Sequence, residues 1–167
     1  VGLTGLIWPR AEKYLAKMSV KNNIPFTLST VACASIEDTA KHLDGKGWFQ
    51  LYPPQDEEIN DDLLSRAERS GLEVLMVTVD VPARGWRPRD MYNGLSLPPR
   101  VTAASLYHAA CRPRWSLATL TSGIPHFKTM GRYSKNKSFR GMADFIRREL
   151  GKPVTRERLK HIRNKWK

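Results

Sequence analysis

The stretch Glu73–Asn93, EVLMVTVDVPARGWRPRDMYN, decides the fold. Val74, Leu75, Met76, Val77, Thr78 and Val79 form a β-branched, apolar run with no polar alternation. Such a run predicts a strand buried on both faces, as in a parallel sheet covered by helices. Thr78 and Asp80 stand at its C-terminal end, two residues apart, so they leave the same face of the strand. A carboxylate at the end of a buried strand is costly unless something pairs with it. The run then breaks at Pro82 and Gly85 and releases Arg84, Arg87 and Arg89. A buried acid followed by a basic loop is the pattern expected at the mouth of an α/β active site.

Upstream, the same grammar repeats. Ile24–Thr30 (IPFTLST) and Trp48–Tyr52 (WFQLY) read as two further strands. Gly2–Trp8 reads as a loop, and Pro9 as the first residue of a helix running to about Lys21. Ser35 is placed to cap a helix over Ile36–Leu43, with Glu37 and Asp38 in the first turn, where the helix dipole favours them. A longer helix follows from about Asp56 to Ser70; Ile59, Leu63, Leu64 and Ala67 fall on one stripe, and Gly71 sits just past its end. The order β-α-β-α-β, at this spacing, predicts right-handed crossovers and a parallel sheet. Ser29 and Thr30, Gln50 and Tyr52, and Thr78 and Asp80 tip the three strands. In parallel α/β folds such C-terminal ends form the ligand crevice.

After Asp90 the character changes. Asn93–Pro99 is turn-rich, Leu106–Ala110 and Trp115–Leu120 read as short helices, and Gly131–Lys137 (GRYSKNK) as a basic, mobile loop. Ser138 caps a helix with Phe139, Met142, Ala143, Ile146 and Leu150 on one stripe, and Thr155 caps another with Leu159, Ile162 and Trp166. Both stripes are expected to pack on a sheet.

At 167 residues and 41% hydrophobic, the chain has the size of about one domain. No window holds the roughly 18 apolar residues of a membrane span. The N-terminus lacks the basic region and cleavage site of a secretory signal. There is no starting Met, and a helix pattern is barely finished at Lys167, so both ends read as cut. Two distant cysteines, Cys33 and Cys111, suit a reduced, cytoplasmic chain. Residues 1–80 carry 8 Lys and Arg against 12 Asp and Glu, whereas residues 81–167 carry 20 against 4. So one-sided a field implies an acidic partner: a membrane surface, nucleic acid or an anionic substrate.

Taken together, TLST (27–30), WFQLY (48–52), RAERSGLEVLMVTVDVP (66–82), GWRPRDMYNG (85–94) and CRPRWSL (111–117) resemble the FMN-dependent α-hydroxy-acid dehydrogenases and oxidases. These are the lactate, mandelate and glycolate enzymes built on a TIM barrel. GLTGLIWP (2–9) and Pro-Arg-Trp-Ser (113–116) are closer to the membrane-associated dehydrogenases than to the soluble oxidases. The resemblance implies an α/β fold, a partial (β/α)8 barrel of roughly the first half. Its parallel strands would lie near 25–30, 48–52 and 73–79. The whole of 1–167 would be one truncated barrel domain: βα units over 1–80, an active-site and membrane-facing loop region over 81–137, and helices over 138–167.

Position by position, the resemblance implies an FMN site with the backbone of Gly2 against the flavin. Ser29, Gln50 and Thr78 would bond its polar edge. Tyr52 would place its hydroxyl on the substrate. Asp80 would fix the tautomer of the catalytic His and stabilise its imidazolium. Arg87 would hold the substrate carboxylate. No metal is implied. The substrate would be a small L-2-hydroxy acid, lactate- or mandelate-like, with electrons passing to a quinone or other acceptor. The basic stretch 100–140 would meet an anionic membrane, placing the protein peripherally on the inner face of the plasma membrane, and the intact protein would be a homo-oligomer. The family's Ser-Asn-His-Gly-Gly-Arg-like motif, its flavin-facing Lys and its Gly-rich phosphate site have no counterpart here. His42, His108, His126 and His161 each stand in a different context. The chain alone is therefore expected not to turn over. The competing readings are a basic nucleic-acid-binding module, which lacks any RRM, zinc or helix-turn-helix signature, and a non-catalytic barrel relic.

Overall fold

The computed structural model describes residues 2–79, 88–92, 102–123, 125–150 and 153–167. The positions assigned to Asp80 and Arg87 lie outside the described residues. Three strands, β1 (Phe26–Ser29), β2 (Gly47–Leu51) and β3 (Leu72–Val77), pair in sequence order, all parallel. Ser29 stands beside Gln50, and Gln50 beside Met76. A register shift at Gly47/Trp48 offsets β3 by one residue.

Helices α1 (Thr4–Ile7) and α2 (Ala11–Lys21) precede β1; α3 (Ile36–Ala40) and α4 (Glu57–Arg69) make the two crossovers. Their starts follow the expected chemistry. The Ser35 hydroxyl accepts from the Asp38 N–H, and the Asp56 carboxylate accepts from the N–H groups of Glu58 and Ile59. Gly71, at φ 74°, lets the chain leave α4 through the left-handed region, where a side chain would be strained. Beyond β3 come α5 (Pro88–Tyr92), α6 (Ala103–Ala110), α7 (Pro113–Ser122), α8 (Phe139–Glu149) and α9 (Arg156–Lys165).

One face of the sheet is the core. Leu28, Phe49 and Leu51 are sealed against Ile36, Leu43, Leu63, Leu64 and Ala67 of the α3–α4 layer. Each such burial contributes about 1.5–3 kcal/mol. The other face carries Trp48, Gln50, Val74 and Met76, and there the expectation of a doubly buried β3 fails. Val74 is 39% and Met76 42% exposed, against 0% for Phe49. An apolar side chain records the surroundings it prefers; three strands and one helical layer supply only one cover. In a closed barrel that second face would be the interior, filled by the opposite strands.

Four further expectations are corrected. Gly2–Trp8 is not all loop, because Thr4–Ile7 closes a helical turn with the Trp8 N–H on the Thr4 carbonyl. The next helix starts at Ala11 rather than Pro9, after Arg10 turns the chain at φ 60°. Gly131–Lys137 is an anchored turn. Tyr133 and Ser134 point inward, and the Lys137 ammonium caps the Gly131 and Arg132 carbonyls at 3.0 and 3.3 Å. Finally, α9 seats on α4 instead of on a sheet: His161 and Lys165 reach Asp61 at 2.8 and 2.9 Å. The α8 stripe lies over the same layer, with Phe139 stacked on Phe127.

Candidate functional site

The strand tips converge. The Ser29 hydroxyl donates to the Gln50 side-chain carbonyl at 2.8 Å, and the Gln50 amide donates to the Thr78 hydroxyl at 2.7 Å. One line of hydrogen bonds thus crosses all three strands at their C-terminal rim. The register explains its course: Gln50 faces Met76, and Thr78 is two residues further on the same face, within diagonal reach. Main-chain bonds carry the ladder to this level, with Thr30 N–H on the Gln50 carbonyl and Thr78 N–H on the Leu51 carbonyl, both at 2.9 Å.

Two further expected residues join the rim. Gly2 lies against the end of β1, where a Cβ on it would stand 2.7 Å from Val31 Cγ2 and 3.3 Å from Ser29 Oγ. Its backbone is therefore as close to the strand tips as a chain can come. Tyr52 follows β2 half-buried and is held through its backbone: its N–H donates to Thr30 Oγ1 at 3.0 Å, and that hydroxyl donates to the Gln50 carbonyl at 2.7 Å. Chemically the rim offers a neutral amide clamped between two hydroxyls. Such a set presents donors and acceptors in one plane and suits an uncharged polar ring edge.

The whole of residues 1–167 matches the FMN-dependent dehydrogenase family. The chain belongs to that family. It is 34% identical over 165 residues to (S)-mandelate dehydrogenase of Pseudomonas putida, covering 99% of this chain and 42% of the relative. It is 37% identical over 147 residues to an L-lactate dehydrogenase of Pseudomonas entomophila (strain L48), covering 87% of this chain and 38% of that one. The solved structure of the monotopic membrane protein (S)-mandelate dehydrogenase superposes at TM-score 0.91 and 34% identity, over 100% of this chain and 44% of that chain. A soluble mutant of the membrane-associated enzyme superposes at 0.68 and 30% identity, over 100% of this chain and 41% of its own. The chain thus spans less than half the length of these relatives. The three-stranded parallel sheet is the first part of the barrel of that fold, here not closed.

Members of the FMN-dependent dehydrogenase family depend on FMN, and the rim fits the group. The polar edge of a flavin alternates carbonyl and N–H, which the Ser29–Gln50–Thr78 line can match, and the close approach of Gly2 to Val31 and Ser29 brings its backbone to the same strand tips. His161 is engaged with Asp61 on α4, and His108 and His126 are exposed.

Two supports carry no local sequence signal. Glu12 is buried, and its Oε1 accepts from the N–H groups of Gly5 and Cys33, both at 3.1 Å. It ties the turn after Gly2 to the turn after β1, fixing both against each other. An acid in a first helical turn ordinarily signals an exposed, dipole-favoured side chain, so nothing local marks this one. Likewise Trp115 of α7 donates its indole N–H to the Ile7 carbonyl at 2.9 Å across 108 residues of sequence.

Proposed function

We propose that this chain forms the flavin-holding wall of an enzyme that oxidises a small L-2-hydroxy acid, lactate- or mandelate-like, to the 2-oxo acid. The observation that carries the reading is the unbroken Ser29–Gln50–Thr78 hydrogen-bond line at the strand tips. Those three residues would hold the polar edge of FMN, with Gly2 against the ring. When bound, FMN supplies the two-electron acceptor for the oxidation. Tyr52 places its hydroxyl on the carboxylate or hydroxyl side of the substrate, Arg87 holds the substrate carboxylate, and Asp80 holds the proton-accepting imidazole in one tautomer and stabilises it once charged. His42, His108, His126 and His161 all lack the Ser-Asn-His-Gly-Gly-Arg-like context of the family's catalytic His, which supports an imidazole supplied from elsewhere in the intact protein.

The proposal extends to the enzyme's setting. Electrons pass to a quinone or similar acceptor, the intact protein is a homo-oligomer, and residues 100–140 rest on an anionic membrane, on the inner face. Lys and Arg contribute about 1 kcal/mol each at such a surface. The superposition is closer on the monotopic enzyme than on the soluble mutant, which favours this setting. No helix among the described residues is long and apolar enough to cross a bilayer.

The decisive variant is Gln50→Leu in the intact protein. It removes both side-chain bonds of the line, each worth about 1 kcal/mol. FMN retention, read from its visible absorbance after dialysis, is expected to fall about tenfold or more, and (S)-mandelate- or L-lactate-driven dye reduction with it. Unchanged FMN retention would remove the support for the site.

A further inference from the structure

Helices α6 and α7 form a hairpin without one buried residue, closed by the Ser116 hydroxyl on the Ala109 carbonyl at 2.7 Å. Leu106, Tyr107, Leu117 and Leu120 all stand in solvent, Leu120 at 80%. A hairpin that contributes nothing to the core and displays this much apolar surface calls for a cover. Trp115 fixes its attitude. Its indole holds the Ile7 carbonyl, so that side of α7 faces the body, and Leu117 and Leu120, set well around the helix from it, face outward.

The same contact brings in a second element. Ile7 is 67% and Trp8 42% exposed, and Arg10, also exposed, follows them. Two apolar side chains and a cation at a turn, one of them Trp, have the composition of a membrane interface. The charge names the partner. Between Asp90 and Asp144 there is no acid at all, against eight Lys and Arg, with Arg112 and Arg114 at the hairpin itself.

We propose that the Ile7–Arg10 turn and the α6–α7 hairpin form one composite docking surface for an anionic lipid bilayer, pinned together by Trp115. This rests on the membrane reading given above and adds to it a segment some ninety residues outside the 100–140 stretch. Only Leu3 and the single turn of α1 separate Gly2 from this turn, so lipid contact would lie one helical turn from the rim.

The test is co-sedimentation of the intact protein with phosphatidylcholine vesicles, with and without phosphatidylglycerol. The wild type is expected to partition onto the anionic vesicles. The Ile7→Ser/Trp8→Ser pair and the Leu117→Ser/Leu120→Ser pair are each expected to lower that partitioning about tenfold or more. If only the hairpin pair does so, the composite surface is wrong and the membrane reading stands. If the wild type binds neither vesicle, both fail, and equal binding to both vesicles overturns the anionic partner. Brominated lipids guard against a misfolded variant: the quenchable part of the tryptophan emission should shrink in Trp8→Phe, and equal quenching in the two proteins overturns the proposal.

Discussion

The guanidinium of Arg66 on α4 grips the carboxylate of Glu37 on α3 at two points, Nε to Oε1 at 2.7 Å and Nη2 to Oε2 at 3.1 Å. Its remaining nitrogen donates to the Tyr133 hydroxyl at 2.8 Å and the Thr129 carbonyl at 3.4 Å, and Tyr133 donates onward to Asp62. Arg66 is only 4% exposed. One buried cation therefore joins both crossover helices to the segment 127–134. Arg66→Met keeps the apolar stem but abandons Glu37, Tyr133 and a buried carbonyl together. The expected loss is roughly 3 kcal/mol, read as a lower urea midpoint, and a midpoint equal to wild type would reduce the grip to a surface contact.

The same pair sets an acid limit. Its hydrogen bond to Arg66, above all, holds the Glu37 carboxyl at about 2, below the ordinary 4.5. A group whose folded pKa is depressed contributes stability that is full above the unfolded value and is lost as pH falls through the folded one. Stability should therefore decline as pH drops from 4.5 toward 2. Urea midpoints measured across that window should fall less steeply in Arg66→Met, whose Glu37 has lost the partner that depresses it. Parallel slopes in the two proteins would assign the acid sensitivity to other carboxylates.

The rim was legible in the sequence because its signals are local. A strand tip and the residue two before it share a face whatever the rest of the chain does, so the polar ends of the three strands could be placed at one rim from the pattern, and the resemblance singled out Ser29, Gln50 and Thr78 among them. Their linkage could not. It depends on the register shift at Gly47/Trp48, which sets Gln50 beside Met76 and leaves Thr78 on the diagonal. Arg66 was invisible for a different reason: its partners lie 29 and 67 residues away, and in its own helix it reads as one more solvated charge. The basic composition of 131–137 concealed an inward Tyr133 for the same reason. Charge content reports on the average residue of a segment, whereas anchoring needs only one. The open face of β3 reverses the lesson, since apolar residues there state a preference that these strands alone do not satisfy.

Cys33 and Cys111 should separate cleanly as thiols. Cys33 is buried, and burial, followed by the charge of Glu12, pushes its thiol up to about 12, whereas Cys111 is exposed at the end of α6. At pH 8 only about one part in ten thousand of Cys33 is the reactive thiolate. An aromatic disulfide reagent is therefore expected to titrate a single thiol in the native protein and a second only after denaturation. Cys111→Ser should abolish the native reaction; a Cys111→Ser protein that still reacts without denaturant would show that the turn after β1 opens.

Behind that thiol, Gly5 of α1 has no room for a methyl group. A Cβ there would stand 2.5 Å from Cys33 Cβ and 2.9 Å from its sulfur, with Glu12 Oε1 at 3.3 Å. Gly5 sits in a helical turn, so its replacement by Ala would by itself stabilise by about 0.4–1 kcal/mol. Overpacking of a filled site costs about 1–3 kcal/mol, and here the obstacle is a neighbouring Cβ, which only a backbone shift can move. Steric cost should win, and Gly5→Ala should lower thermal stability. Cys33→Gly clears both offending atoms, so the double variant should be more stable than the sum of the single changes predicts, with a coupling of about 1 kcal/mol or more. Strict additivity would mean that α1 swings away from the turn after β1 at no cost, and would release Glu12 from the task of holding the two together.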